Sequence, residues 1–172
     1  MRPCNPMQTN HMKIKSLLAA LLLAVSALQS SAALPSVPLQ SLDGASVNAS
    51  TIGAEGKPVI VSFFATWCKP CMRELAAIEQ VYDDWQDETG VELVAVSIDK
   101  AQDADKVRSL VASHDWPYTV LLDSNSELAR GVGVQAVPHV LLLDGKGNVV
   151  YSHSGYQDGA ETELYEQVKA IK

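Results

Sequence analysis

Residues 57–74, KPVIVSFFATWCKPCMRE, constrain the fold of this chain more than any other stretch. The first part, residues 59–64, is apolar without alternation, which is typical of a strand buried on both faces. Cys68 and Cys71 follow, and after them the apolar spacing becomes that of a helix. The stretch therefore predicts a strand, a tight turn and a helix, with two cysteines at the turn.

The position of the two cysteines predicts their chemistry. A cysteine at a helix N-terminus lies beside unpaired backbone N–H groups and the positive end of the helix dipole. Both favour the thiolate over the thiol, and Lys69 adds a nearby positive charge. We therefore interpret Cys68 as an exposed attacking thiol and Cys71, one helical turn further on, as a buried resolving thiol. Pro70 fits this interpretation, because its missing N–H costs little in the first helical turn.

Two other interpretations of the cysteine pair compete with a redox role. A zinc site would need two more ligands, and His114, His139 and His153 show no paired zinc spacing. A permanent disulfide between Cys68 and Cys71 would close a small ring and would constrain little of the chain. The strand-to-helix context therefore favours a redox-active pair.

These residues resemble the active site of the thioredoxin superfamily, and within it the TlpA/ResA-type periplasmic thiol-disulfide oxidoreductases. The phrase FFATWCKPC at residues 63–71 is similar to that family's strand and turn. Thioredoxin itself usually has an aspartate where Ser62 stands. The TlpA/ResA pattern instead has a glutamate three residues after the second cysteine, where Glu74 stands. Residues 133–138, GVQAVP, are similar to the family's Val-Pro loop, and the resemblance runs from Leu39 to the C-terminus.

Glu74 has two interpretations. It lies one turn past Cys71 on the same helix face, so a carboxylate turned back towards the pair could take the proton from Cys71. Such a carboxylate would also raise the pKa values of the thiols by like-charge repulsion. Alternatively, Glu74 is an exposed residue of the first helical turn, where the helix dipole favours it. The spacing leaves both open, and the resemblance favours the catalytic role.

The resemblance also implies a substrate-binding surface formed by Trp67, Pro70, Val137 and Pro138. A cis Val137–Pro138 bond would expose the Val137 backbone N–H and C=O to an extended substrate chain, as in strand addition. An ordinary strand-entry proline is the alternative for Pro138. Alternation places His139 on the side opposite Pro138, and we expect a structural or rim contact for it rather than catalysis.

Residues 1–32 are predicted to be an N-terminal extension and a signal peptide. The apolar run of residues 17–28 has the length of a signal-peptide core and is too short for a spanning helix. Small residues at positions 30–33 fit cleavage after Ala32. Met12 is the expected start, which would leave out Cys4. No cysteine stands at the cleavage point, so we expect no lipoprotein anchor, and an uncleaved signal anchor is the alternative.

Cleavage would change the charge of the remaining single domain, residues 33–172. Loss of Arg2, Lys13 and Lys15 leaves ten basic residues against 20 acidic ones, a net charge of −10. This balance argues against nucleic acid and anionic membrane surfaces as partners. The length suits one core, and an oxidising compartment suits a single cysteine pair.

Strands alternate with helices along the domain and end in a hairpin, which predicts an α/β fold with a mixed sheet. We expect a thioredoxin-like mixed sheet flanked by helices, with an N-terminal hairpin at residues 39–47 and an inserted strand–helix unit. The other predicted elements are strands over residues 58–65, 91–99, 118–122, 137–143 and 149–153, and helices over residues 71–89, 103–114, 126–131 and 162–171.

The sequence and the resemblance predict an exported, periplasmic thiol-disulfide oxidoreductase without a metal or cofactor. The resemblance implies a reductant of protein disulfides, such as those of apocytochrome c, recharged by a membrane electron donor.

A disulfide-donating oxidase is an alternative, because Cys-Lys-Pro-Cys does not fix the direction of electron flow. Another is a non-enzymatic module that binds an apoprotein, or Cu(I) through two thiolates and His139. A peroxidase is disfavoured, since no Pro-x-x-x-Thr-x-x-Cys motif ends at Cys68. The sequence predicts no oligomeric state.

Overall fold

The computed structural model describes residues 32–171, which belong to one compact unit. The predicted start at Met12, the apolar run of residues 17–28 and Cys4 lie outside this range, so export and cleavage stay predictions. Within the described range, no helix combines the length and the apolar character needed to cross a membrane.

Within residues 32–171, seven strands form one mixed sheet. They are β1 Pro38–Ser41, β2 Ser46–Asn48, β3 Val59–Phe64, β4 Glu92–Ser97, β5 Thr119–Leu122, β6 His139–Leu143 and β7 Val149–Ser154. Their order across the sheet is β2-β1-β5-β4-β3-β6-β7. β3, β4 and β5 run parallel, and every other neighbouring pair is antiparallel. This topology confirms the predicted mixed α/β sheet.

The described chain also contains five α-helices. They are α1 Lys69–Glu79, α2 Tyr82–Thr89, α3 Ala104–His114, α4 Glu127–Gly131 and α5 Ala160–Lys169, with short 3-10 turns at Ala49–Thr51 and Ala101–Asp103. The closing helix α5 begins and ends two residues before the predicted bounds, so Ile171 lies beyond it. Its predicted core residues Leu164 and Val168 are buried.

The prediction of one continuous helix over residues 71–89 is wrong. The chain leaves the helix at Val81, whose φ of −124° and ψ of 1° are not helical, and a second helix begins at Tyr82. Tertiary contacts fix this break: the Tyr82 hydroxyl accepts a hydrogen bond from the Leu93 backbone N–H at 2.9 Å, and the Trp85 ring stacks on Tyr165. These contacts link the second helix to β4 and α5, and no feature of helical spacing encodes them.

The central strand β3 is buried along its whole length, as its unbroken apolar run predicts. Its Ile60 and Phe64 side chains join a cluster with Cys71 and the buried face of α1, while Val61 and Phe63 join the cluster on the other face. Each large apolar side chain buried in this way contributes roughly 1.5–3 kcal/mol. The strand is therefore a firm support for the turn that leaves its C-terminal end.

The predicted N-terminal hairpin is present, with β1 and β2 paired antiparallel. Gly44 in its turn has a φ of +91°, a conformation that favours glycine. β1 also pairs with β5, so the hairpin extends the sheet on the side away from the cysteines.

Candidate active site

The two cysteines lie where β3 passes into α1. Cys68 is the N-cap residue of α1, and its Sγ accepts a hydrogen bond from the Cys71 backbone N–H at 3.2 Å. Its own backbone N–H donates to the Ala65 carbonyl at 3.0 Å and closes the turn. Cys68 and Cys71 are joined in a disulfide with their Cα atoms 5.3 Å apart. The sequence therefore places the pair at the positive end of a helix.

The prediction that Cys68 is exposed is wrong for this disulfide form. Only 4% of Cys68 is accessible, and Cys71 is fully buried. Both belong to the apolar cluster on the α1 face of the sheet, which explains the low exposure of the first cysteine. Cys68 remains the more accessible of the two sulfur-bearing residues.

An exposed aromatic side chain stands directly beside the disulfide. Trp67 is 70% exposed. Among the described residues, Val150 is the other exposed large apolar side chain, at 50%. The predicted contact residue Pro70 is the second residue of α1 and is half-buried. A bulky apolar ring in solvent next to a reactive pair offers area for contact with a partner protein.

The Val-Pro loop meets the same edge of the sheet. The Val137–Pro138 peptide bond is cis, as the resemblance implies. β6 pairs antiparallel with β3, with His139 opposite Phe63, so Pro138 lies level with the end of β3 from which the cysteine turn leaves. The Pro138 carbonyl accepts a hydrogen bond from the Gly155 backbone N–H at 2.8 Å. Pairing of the strands thus brings two distant parts of the sequence to one edge.

His139 is held within the protein rather than directed at the disulfide. It is 8% exposed, and its two ring nitrogens lie 2.6 Å from the Ser154 hydroxyl and 3.1 Å from the Ser152 hydroxyl. Burial and, secondarily, the His153 ring hold the pKa of His139 below its usual value. Within residues 32–171, no group of three or more His, Cys, Asp or Glu side chains is placed to hold a metal ion.

Glu74, three residues after Cys71 on α1, is buried rather than exposed on the helix surface. It is 4% exposed, and the Ser62 hydroxyl donates a hydrogen bond to its carboxyl group at 2.9 Å. Burial raises the pKa of Glu74 from 4.5 to about 7, while the hydrogen bond from Ser62 acts in the opposite direction. Glu74 also lines a small crevice with His153 and Leu164, between α1, β7 and α5. The carboxyl group can therefore gain or lose a proton near neutral pH.

Sequence reasoning missed a second buried carboxyl group, that of Asp99. It follows β4 and accepts hydrogen bonds from the backbone and the side chain of Thr66, two residues before Cys68. One signal was available: Asp99 ends an apolar parallel strand, and the carboxyl ends of such strands meet at the edge of the sheet where sites form.

Comparison with known proteins agrees with this geometry. Residues 31–152 match the family model described as the AhpC/TSA family. The thioredoxin-like protein YneN of Bacillus subtilis is 32% identical over 130 residues, covering 75% of this chain and 74% of that protein. The thiol-disulfide oxidoreductase ResA of Bacillus thuringiensis subsp. konkukian is 32% identical over 111 residues, or 64% of this chain. The chain spans 62% of the length of that ResA protein.

Two solved structures share the fold. A thioredoxin-like protein from Porphyromonas gingivalis is 51% identical, with a TM-score of 0.73 over 80% of this chain and 90% of that one. A structure described as a putative thiol:disulfide interchange protein DsbE from Chlorobium tepidum is 26% identical, with a TM-score of 0.70 over 81% and 94% of the two chains. The thioredoxin-like fold, the disulfide at the start of α1 and the matched relatives all agree, and the chain belongs to the AhpC/TSA family as a TlpA/ResA-type member of the thioredoxin superfamily.

Proposed function

We propose that this protein is an exported thiol-disulfide oxidoreductase that acts through the Cys68–Cys71 pair. The observation that carries the proposal is the pair itself: two cysteines joined at the N-terminus of α1, with the buried Glu74 three residues after Cys71 on the same helix. The names of the ResA and DsbE relatives support the same reaction class. We assign the attack on substrate to Cys68, the more accessible residue of the pair.

In the first step, the thiolate of reduced Cys68 attacks one sulfur of a substrate disulfide. A bond forms between that sulfur and Cys68 Sγ, the substrate S–S bond breaks, and the other substrate sulfur leaves as a thiolate. The backbone N–H of Cys71 lies within hydrogen-bond distance of Cys68 Sγ and favours the charged form of this thiol.

In the second step, Cys71 resolves the mixed disulfide. Glu74 takes the proton of the Cys71 thiol, and the resulting thiolate attacks Cys68 Sγ. The substrate leaves with both sulfurs reduced, and the enzyme keeps the two-electron oxidation as the Cys68–Cys71 disulfide. A carboxyl group with a pKa of about 7 suits this role, because it accepts a proton near neutral pH and then releases it.

Substrate would bind at the sheet edge that carries the disulfide. The exposed Trp67 ring offers apolar area, and Pro70 adds to the same surface. As the resemblance implies, the Val137 backbone beside Pro138 would pair with an extended segment of substrate by strand addition. We therefore expect protein disulfides in extended segments as substrates.

We further propose that the protein acts in the periplasm as a reductant, receives electrons from a membrane donor and has apocytochrome c among its substrates. The predicted signal peptide and the resemblance to TlpA/ResA-type proteins support this direction. Oxidation of folding proteins, with electrons flowing the other way, is the alternative that the following experiment separates.

The reduction potential of the Cys68–Cys71 pair tests the direction of transfer. Cys4→Ser leaves these two as the only cysteines of the chain, and the protein is equilibrated with defined thiol buffers. A potential at or below about −230 mV supports an electron donor, and one near about −120 mV makes the protein a disulfide donor. Binding of Cu(I) without any exchange with a protein disulfide would overturn the enzymatic proposal.

Cys71→Ser, which retains the attacking thiol, should trap substrates as mixed disulfides, and Cys68→Ser is its matched control.

A further inference from the structure

The loop after β4 carries a buried carboxyl group that the proposed reaction does not use. Asp99 is 4% exposed and accepts three hydrogen bonds, each 2.8 Å long. Its Oδ2 receives the Thr66 backbone N–H and the Ser97 hydroxyl, and its Oδ1 receives the Thr66 hydroxyl. Both oxygens are therefore occupied, and two of the three donors belong to one residue of the cysteine turn.

These bonds continue the sheet beyond its last strand pair. β3 and β4 end at Phe64 and Ser97, which are paired, and the Ile98 backbone N–H donates to the Phe64 carbonyl at 2.9 Å. Past this point the β3 chain turns towards α1 and no backbone partner follows in the ladder. The carboxyl group of Asp99 takes over as the acceptor and holds Thr66 against the end of β4.

The next residues of the turn are the reactive ones. Cys68 caps α1 with its sulfur 3.2 Å from the Cys71 backbone nitrogen, and its own backbone N–H closes the turn on the Ala65 carbonyl. Thr66 lies in the middle of that turn, and its backbone N–H donates a hydrogen bond to the Asp99 side chain in the loop after β4. The hydrogen bonds from Thr66 to Asp99 therefore lie within the turn that leads from β3 to the cap residue Cys68.

We propose that Asp99 is a positioning residue, which holds the turn through Thr66 and thereby keeps the Cys68 sulfur at the N-terminus of α1. The inference rests on the proposed function in one respect, the use of Cys68 as the attacking thiol. It names a contribution to reactivity from residues that touch neither substrate nor sulfur.

The test measures the pH dependence of Cys68 alkylation in the reduced full chain carrying Cys4→Ser. Thr66→Val removes the hydroxyl donor and keeps the branched shape, Thr66→Ser keeps the hydroxyl, and Asp99→Asn leaves only one acceptor oxygen. We expect Thr66→Val, which leaves the Asp99 carboxyl group in place, to raise the Cys68 thiol pKa by about half a unit, which lowers the rate at pH below that pKa about threefold. Thr66→Ser should keep the original profile.

Thr89→Val is the matched control. Thr89 is also half-buried, its hydroxyl donates to the Trp85 carbonyl at 2.6 Å, and it lies near the opposite end of β4. It should lose stability as Thr66→Val does and leave the Cys68 profile unchanged. A purely structural role for Asp99 would give the two valine variants the same profile, which overturns the proposal.

A double variant completes the design. Thr66→Val should shift the thiol pKa less in the Asp99→Asn background than in the original protein, because Asp99→Asn already disturbs the hydrogen bond from the Thr66 hydroxyl that Thr66→Val removes. Full additivity of the two shifts contradicts the proposal. Alkylation needs no protein substrate, so a protein that fails to exchange disulfides would overturn the proposed function and leave this result standing.

Discussion

Glu74 on α1 and Asp99 in the loop after β4 are two buried carboxyl groups, and they are equally inaccessible at 4% exposure. Their hydrogen bonds differ. Among residues 32–171, Asp99 accepts three hydrogen bonds, from Thr66 and Ser97, whereas Glu74 accepts one, from Ser62. Glu74 is also the one that lines a crevice reaching exposed residues such as His153.

This difference separates two uses of a buried acid. Three donors fix the geometry of Asp99 and tie it to one residue of the turn, which suits a positioning role. A single donor does not offset the desolvation of Glu74, so burial raises the pKa of this group to about 7. Burial alone therefore does not define the role of either residue, and the number of donors does.

The largest expected effect is on stability and concerns Glu74. Its pKa is higher in the folded disulfide form than in the unfolded chain, so the folded state binds more protons between pH 4.5 and about 7. Stability should therefore fall as pH rises through that window, by roughly 3 kcal/mol in total. Urea unfolding of the disulfide form across this range should show the fall in the original protein and not in Glu74→Gln. Glu79→Gln, on the same helix, is the control, and parallel curves for all three proteins would contradict the assignment.

The next effect is on the chemical step. Glu74→Gln should slow the attack of Cys71 on a mixed disulfide at Cys68 about 100-fold, equal to roughly 2.7 kcal/mol, because the proton acceptor is lost. Release of a coloured aromatic thiol from a preformed Cys68 mixed disulfide reports this step directly. Glu79→Gln should react at the original rate. An unchanged rate in Glu74→Gln would remove Glu74 from the mechanism.

Asp99→Asn should lower the free energy of unfolding by about 2 kcal/mol, because an amide cannot accept all three hydrogen bonds and leaves buried donors unsatisfied. Chemical denaturation of the disulfide form at pH 7 measures this loss. Glu74→Gln should change stability in the opposite direction, because at pH 7 that variant should be more stable than the original protein. A rise in the free energy of unfolding in both variants would contradict this prediction, because burial of the Asp99 carboxyl group would then cost more than its three hydrogen bonds contribute.

The smallest effect concerns the one donor to Glu74. Ser62→Ala should raise the pKa of Glu74 further, because the hydrogen bond from Ser62 favours the charged form, and such a hydrogen bond contributes roughly 1 kcal/mol. Carbon-13 NMR of the Glu74 carboxyl group during a pH titration would follow the change. Ser113→Ala, which removes a hydroxyl from the surface of α3, should leave the titration in place. A lower midpoint in Ser62→Ala would reverse the sign of this contribution.

Much of the fold could be read from local sequence. The unbroken apolar run of β3, the turn at Gly44 and the helical spacing of α5 each depend on neighbouring residues, and each is present. The break at Val81 could not be read, because it depends on the contacts of Tyr82 and Trp85 with other elements. The buried position of Cys68 likewise reflects packing against the sheet rather than its place in the motif.

The sequence by itself determined the cysteine pair, its place between a buried strand and a helix, and the acid one turn further on. Those features follow from spacing along a single strand and a single helix. Only the tertiary structure decided that Glu74 has one donor and that Asp99 has three, since the partners Ser62 and Thr66 lie 12 and 33 residues away in the chain. The environment of a buried acid depends on such distant pairings, because desolvation and hydrogen bonding are set by whichever elements pack around it.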